Sequence, residues 1–372
     1  MDVKPGYKQS EVGLIPDDWQ VLPLGRLIFS VEYGSSAKSS PQGRIPVLRM
    51  GNLQGGRLDW NDLVYTDDEA EVKKYSLISG DVLFNRTNTI DLVGKTAIYK
   101  GERPAVFAGY LIRINADKGL LDCSYLNFVL NAEFSRKHSA KVLSIAVGQA
   151  NINGQKLKSY PIPTPPTKAE QEAIAEALSD AEAFIESLEQ LLAKKRQVKQ
   201  GAMQELLTAK KRLPGFSGEW ETKLLGDVIT HCSSGATPYR GRPDYYVGTI
   251  KWITSGELNY NVITDTLEHI SEEAVTRTHL KIHPMGTFLI AITGLEAAGT
   301  RGSCGIVGSP ATTNQSCMAI YPTSELDNSY LYHYYVFRGD ELALQYCQGT
   351  KQQSYTAALI KQLPIDLPPT TE

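Results

Sequence analysis

Between residues 167 and 212 the apolar positions fall on a helical beat. Ile174, Leu178, Ala181, Ile185, Leu188 and Leu192 follow one another at spacings of 4, 3, 4, 3 and 4, a coiled-coil seam carried through almost three heptads, and Val198, Ala202 and Leu206 extend a looser stripe. Ahead of the seam, Thr167-Lys168-Ala169-Glu170 has the T-x-x-E form of a capping box, in which hydroxyl and carboxylate each take one free amide donor, so a helix is expected to begin there. Acids crowd its first half (Glu170, Glu172, Glu176, Asp180, Glu182, Glu186, Glu189) and bases its second (Lys194, Lys195, Arg196, Lys199, Lys210, Lys211, Arg212), the order that suits a helix dipole. At 1.5 Å per residue, about 40 to 45 residues make a rod of roughly 60 to 68 Å. Polar over most of its circumference, such a rod needs a second helix against its seam.

The flanking segments are copies of each other. Trp19 to Ile28 recurs as Trp220 to Ile229, an offset of 201 that also relates Gly34 to Gly235. Ile45, Gly51 and Leu53 match Ile250, Gly256 and Leu258 at 205; Gly80-Asp81-Val82-Leu83 matches Gly286-Thr287-Phe288-Leu289 at 206; Tyr125-Leu126 matches Tyr330-Leu331 at 205. Tyr160 to Thr167 matches Leu363 to Thr370 at 203. Collinear matches with slowly drifting offsets mark a duplication, so the chain reads as domain (1–166), long helix (167–212), domain (213–369). Residues 370–372 then read as the start of a second, truncated helix. Thr370 stands where Thr167 stands, and the acid that would complete its box falls one position past Glu372.

Inside the copies, short apolar runs bounded by turn residues place strands at 45–50, 82–85, 96–99 and 110–114 with a helix near 124–138, and at 249–254, 287–292, 303–307 and 318–321 with a helix near 329–346. The expected fold is therefore α+β: two tandem domains joined by a long coiled-coil-type α-helix.

Composition narrows the chemistry. The 372 residues are 42% apolar and 21% charged, enough for two or three packed cores. No run approaches the roughly twenty apolar residues of a membrane span, and residues 1–14 lack a signal-peptide core, so a soluble cytoplasmic protein without membrane association is expected. The five cysteines (Cys123, Cys232, Cys304, Cys317, Cys347) are widely spaced, with no C-x-x-C, which points to reduced thiols. Gly94-Lys95-Thr96 resembles the tail of a phosphate loop but lacks its first glycine, position 89 being Thr89; a turn into a strand is the plainer reading. His279 and His283 form the only suggestive metal pair, and Pro284 directly after them argues against a helix there. Pro16-Asp17 with Glu71-Val72-Lys73 could be forced into a Mg-dependent nuclease pattern, but the second copy does not repeat it. No catalytic centre, metal site or cofactor site emerges. A duplicated, apparently inert domain on a rigid rod suits a ruler for two separated sites on an extended polymer, with DNA the natural candidate and a two-headed non-DNA adaptor the other alternative.

The charge distribution qualifies this. Residues 1–166 carry 20 Lys+Arg against 17 Asp+Glu, the helix 8 against 8, and residues 213–372 10 against 16. A chain without a basic excess, if it binds DNA, leans on base-edge contacts and on a partner for backbone attraction. Loops rich in the side chains that read base edges occur in both copies. The candidates for DNA contact are Lys38, Ser39, Arg49, Asn52, Arg86, Asn88, Lys95, Gln149, Asn151 and Asn153 in the first, and Thr237, Tyr239, Arg240, Arg242, Lys251, Thr254, Arg301, Lys351, Gln352, Gln353 and Ser354 in the second.

The tandem arrangement, the Trp19…Leu24-Gly25 and Trp220…Leu225-Gly226 openings, Pro165-Pro166-Thr167-Lys168-Ala169-Glu170-Gln171 before the helix and Gly201-Ala202-Met203-Gln204-Glu205-Leu206-Leu207-Thr208 near its end resemble the DNA-specificity subunit of type I restriction-modification systems. Lys8 to Trp19 and Leu213 to Trp220 look like that family's two domain starts. The resemblance implies two target-recognition domains, each reading half of a bipartite double-stranded DNA target, with helices that fix the unread spacer and dock two methyltransferase subunits. It implies that adenine methylation with S-adenosylmethionine, and ATP- and Mg-dependent cleavage by restriction subunits, belong to those partners and not to this chain. At about 3.4 Å per base pair such a rod caps the half-site separation below about twenty base pairs. The family's second conserved helix is missing here, which implies self-association through the unpaired seam or cover by a partner helix.

Overall fold

The computed structural model describes residues 5–146, 149–297, 299–349 and 353–369. The expected second helix start at 370–372 lies outside them. Contacts divide the chain into two units, Met1–Glu189 and Gln190–Glu372.

In the first unit a four-stranded antiparallel sheet runs Thr96–Ile98, Val82–Asn85, Leu111–Ala116, Ile28–Tyr33. Val82–Asn85 is buried along its whole length, as a central strand covered on both faces must be. Helices Cys123–Asn131 and Glu133–Val142 pack beside this sheet, and Leu126 and Leu130 enter its core. A smaller sheet of Val106–Phe107, Ile45–Leu48 and Val64–Thr66 has one parallel and one antiparallel pairing. Gln20–Pro23 pairs with Pro161–Thr164, so an early strand and the last strand of the domain close it together. An N-terminal hairpin, Tyr7–Ser10 with Gly13–Pro16, precedes this frame.

The second unit repeats the plan. Ile229–Ser234, Cys317–Pro322, Phe288–Ala291 and Cys304–Val307 reproduce the antiparallel sheet, extended by the parallel strand Asn261–Ile263. His269–Ile270, Ile250–Ile253 and Ala311–Thr313 reproduce the small sheet with the same mixed pairing. Glu221–Leu224 closes against Pro364–Leu367. Even the register shift is duplicated: Phe29 is skipped between Ile28 and Ser30, and Thr230 between Ile229 and His231, at the offset of 201.

The matched residues have matched duties. A Cβ on Gly34 would stand 2.3 Å from the Phe107 carbonyl oxygen, and one on Gly235 1.8 Å from that of Thr313, so both positions require glycine for backbone approach. Asp122 and Asp327 cap the ensuing helices by accepting from Tyr125 N and Tyr330 N. The phenols of these two tyrosines in turn donate to Pro163 O and Asp366 O of the closing strands.

The long helix spans Lys168–Leu206, 39 residues or about 58 Å, shorter than the sequence suggested. It ends before 212 because the chain turns at Ala209, which adopts φ 56°, while Lys211 N bonds back to Glu205 O. Half of the capping box forms: Thr167 Oγ1 accepts from Glu170 N at 3.3 Å. The Glu170 carboxylate turns to Trp19 instead, accepting its indole N–H at 3.1 Å. Gln171 and Ala175 are buried and Ile174 packs on the first core, so the domain itself covers the start of the seam. From Leu178 onward the seam is open, with Ile185, Leu188 and Leu192 all about half exposed. The helix expected near 124–138 is two helices, broken at Ala132, whose ψ of 157° leaves the helical region.

Candidate nucleic-acid interface

In the first repeat, residue 49 opens a short 3-10 turn, Met50–Asn52, followed by the tight hairpin Leu53–Gln54 with Arg57–Leu58. Together with the loop that descends from Val82–Asn85, this turn encloses a cleft of about 370 Å³ lined by Arg49, Asn52, Gln54, Asp59, Asn61, Asp62, Asn88, Leu92 and Lys95, among others. Four of the ten sequence candidates thus converge, although they lie up to 46 positions apart.

Their roles differ. Asn52 is buried and caps the turn, accepting from Arg49 N at 2.8 Å and donating to the carbonyls of Asp59 and Asn61. Arg49 is anchored on Asp62 through the carbonyl at 2.7 Å and the carboxylate at 3.1 Å. Lys95 donates to Gln54 Oε1 at 3.2 Å. Thr87–Asn88 pairs with Gln149–Asn151, which brings Gln149 and Asn151 alongside Asn88; Asn151 donates to Thr87 Oγ1 at 2.7 Å. Asn153 caps the helical turn Gly154–Leu157. Arg86 lies over the Tyr33 ring at 4.8 Å and donates to Gly109 O, a packed position rather than a free one. Lys38 and Ser39 are exposed in a separate loop.

The second repeat does not gather its candidates in this way. Thr237, Tyr239, Arg240 and Arg242 share one loop, where Thr237 bonds Gln315 and Tyr239 is 74% exposed. Arg240 is held by both oxygens of Glu268, at 2.5 and 2.8 Å, and stacks on Tyr246 and Trp252; it holds the Glu268 carboxyl below its ordinary range. Arg242 forks onto Asp244, and Arg301 Nε donates to Asp340 Oδ1 at 2.7 Å. Lys251 donates to Ser309 and Thr254 forms a capping box with Glu257. Gln353 N donates to Glu296, and Ser354 bridges Thr293 and Gln348. Lys351 and Gln352 lie outside the described residues.

Sequence reasoning overlooked Gln54 and Arg57. Gln54 follows Gly51-x-Leu53 directly, and Asn259 follows Gly256-x-Leu258 at the same offset of 205, a signal that could have found Gln54 but not Arg57. Arg57 donates to Glu186 and Glu182 on the long helix.

The residues of the phosphate-loop, histidine-pair and nuclease patterns have structural duties. Gly94, at φ 89°, turns the chain into strand Thr96–Ile98. His279 ends a helix in the left-handed region while His283 is buried against Tyr321 and Thr313. Glu71 accepts from Ser35 Oγ. Among the described residues no group of three His, Cys, Asp or Glu side chains could hold a metal, all five cysteines are free, and no helix is long and apolar enough to cross a membrane.

Comparison with known proteins places this geometry. The chain matches the family described as type I restriction modification DNA specificity domain twice, over residues 16–196 and 217–372. Among curated relatives, a Methanocaldococcus jannaschii protein named as the MjaX type I restriction enzyme specificity subunit is 30% identical over 59% of this chain and 55% of its own length. The EcoKI specificity subunit of Escherichia coli is 26% identical over 44% of this chain and 36% of its own. The aligned region thus spans about half or less of these relatives. An S subunit from M. genitalium shares the fold with a TM-score of 0.63 at 14% identity, covering 100% of this chain and 88% of that one. A chain from a type I R-M assembly gives 0.53 at 16% identity, with 95% and 87% covered. With both repeats matched and the whole fold shared, this chain belongs to the type I restriction modification DNA specificity domain family.

Proposed function

We propose that this chain is the non-catalytic, sequence-reading subunit of a type I restriction-modification complex in the cytoplasm. Each repeat reads one half of a bipartite double-stranded DNA target through loop residues among those named above, the buried Asn52 and the packed Arg86 supporting the loops rather than reading bases. The helix Lys168–Leu206 sets the unread spacer and docks two methyltransferase subunits, which carry S-adenosylmethionine; restriction subunits carry ATP and Mg chemistry. With 39 helical residues, about 58 Å, the half-sites lie within about 17 base pairs of each other. The domains are 1–166 and 213–369.

The observation that carries this reading is the duplication itself: one plan of sheets and caps, built twice, with a long helix beginning immediately after the first closing strand. Two equivalent readers on one chain answer to a target in two parts. The test is co-expression with an adenine methyltransferase subunit of the same genome, followed by mapping of modified adenines. A split motif is expected, and exchanging residues 30–160 for those of a relative changes one half of it alone. Random or absent modification overturns the reading.

A further inference from the structure

The two repeats differ chemically at a place where their folds coincide. Beside the 3-10 turn Ser255–Glu257 the second repeat has its own cleft, lined by residues 256, 257, 259 and 261–267, none of them Lys or Arg. Its Glu257 carboxylate is engaged within the turn, accepting from Thr254 N, Thr254 Oγ1 and Leu267 N. Strand pairing fixes the counterpart of Lys95. Thr96 pairs with Phe84 and Cys304 with Ile290, and Phe84 matches Ile290, so Lys95 is level with Ser303. Each follows a left-handed glycine, Gly94 at φ 89° and Gly302 at φ 72°. One repeat has an ammonium where the other has a hydroxyl.

A lysine ammonium is ordinarily a mobile point charge. This one is positioned: Gln54 Oε1 takes one of its N–H groups at 3.2 Å, and the Gln54 amide is itself fixed by donating to Gly51 O at 3.0 Å. The other two N–H groups are available to an outside acceptor. Asn88 across the cleft accepts from Thr89 N through Oδ1, which directs its oxygen inward to the backbone and leaves its amide as a donor. The acids nearby are already engaged, Asp62 by Arg49 and Asp59 by Asn61. The cleft therefore offers donors to a partner with adjacent acceptors, and among base edges in the major groove guanine alone presents two acceptors, N7 and O6.

We infer that Lys95, with Gln54 as its positioning residue, donates to the O6/N7 edge of a guanine in the half-site read by the first repeat, a contact with no equivalent in the second. The inference rests on the reading that each repeat contacts DNA. The experiment is the co-expression described above, with Lys95→Met, Lys95→Arg and Gln54→Ala, each confirmed by thermal melting to remain folded. Lys95→Met relaxes one guanine position of one half-site, with discrimination falling about 10-fold or more, within the range for a lost base contact. Lys95→Arg keeps the guanine, and Gln54→Ala relaxes the same position by a smaller factor. An unchanged motif with lower occupancy and a salt dependence shallower by about one ion marks a phosphate contact and overturns the assignment. Absence of any split motif with the unaltered chain overturns the underlying reading instead, so the two failures are distinguishable.

Discussion

Arg57 reaches Glu186 at 2.7 Å and Glu182 at 3.2 Å, so one guanidinium straddles two carboxylates a single turn apart on the long helix. Their hydrogen bonds raise the guanidinium's pKa, Glu186 contributing most. All three side chains are substantially exposed, so the pair adds little to global stability. Its effect is local. Arg57→Ala is expected to leave the melting temperature within about 2 °C while amide exchange over residues 182–189 accelerates several-fold, as measured by exchange mass spectrometry. Unchanged exchange would show that the turn is held by other contacts.

Gly34 and Gly235 test the duplicated architecture directly. A Cβ at either meets a carbonyl oxygen of the facing strand, which cannot swing aside as a side chain would. Gly235→Ala is expected to cost about 2–3 kcal/mol, the scale of forced overpacking, and to lower the melting temperature of the second repeat by several degrees. Gly34→Ala does the same to the first. Calorimetry on each variant separates the two transitions.

Acid should weaken the second repeat. His283 is buried between Tyr321 Oη and Thr313 Oγ1, and burial, aided by nearby Lys281, pushes its pKa down to about 4. An unfolded histidine titrates near 6.5, so between those values the unfolded chain binds the extra proton. Stability is complete above about pH 6.5 and is lost as pH falls towards 4, by up to about 3 kcal/mol. Urea titrations at pH 7 and pH 4.5 should show the loss, and His283→Gln should remove that part of the pH dependence.

The open seam predicts association. Ile185, Leu188 and Leu192 are each about half exposed, and a partner helix would bury them. Light scattering of the purified protein is expected to show concentration-dependent self-association that Leu188→Asp with Leu192→Asp abolishes. A monodisperse monomer at all concentrations would overturn self-pairing through the seam.

Central strands were legible because burial on both faces leaves a continuous apolar run. Val82–Asn85 was located to the residue, and Phe288–Ala291 lies within the expected 287–292. The closing strands were not, since Pro161-Ile162-Pro163 reads as a break; its prolines are tolerated because that strand pairs on one edge only. Neither was the division at Ala132, which shows no breaker in the sequence and depends on Ser135 Oγ reaching Val129 O. Asn52 and Lys95 were recognisable as polar loop residues. Their opposite fates, one buried as a cap and one poised in a cleft, depend on a turn and a hairpin that local pattern does not reveal.

The closing ribbon also has a bearing on biosynthesis. Because Pro161–Thr164 completes the first repeat before Lys168 begins the helix, every strand needed for that fold has been translated while more than two hundred residues are still to come. The first repeat can fold on the ribosome without waiting for the second, which limits strand exchange between two sheets of the same plan during synthesis.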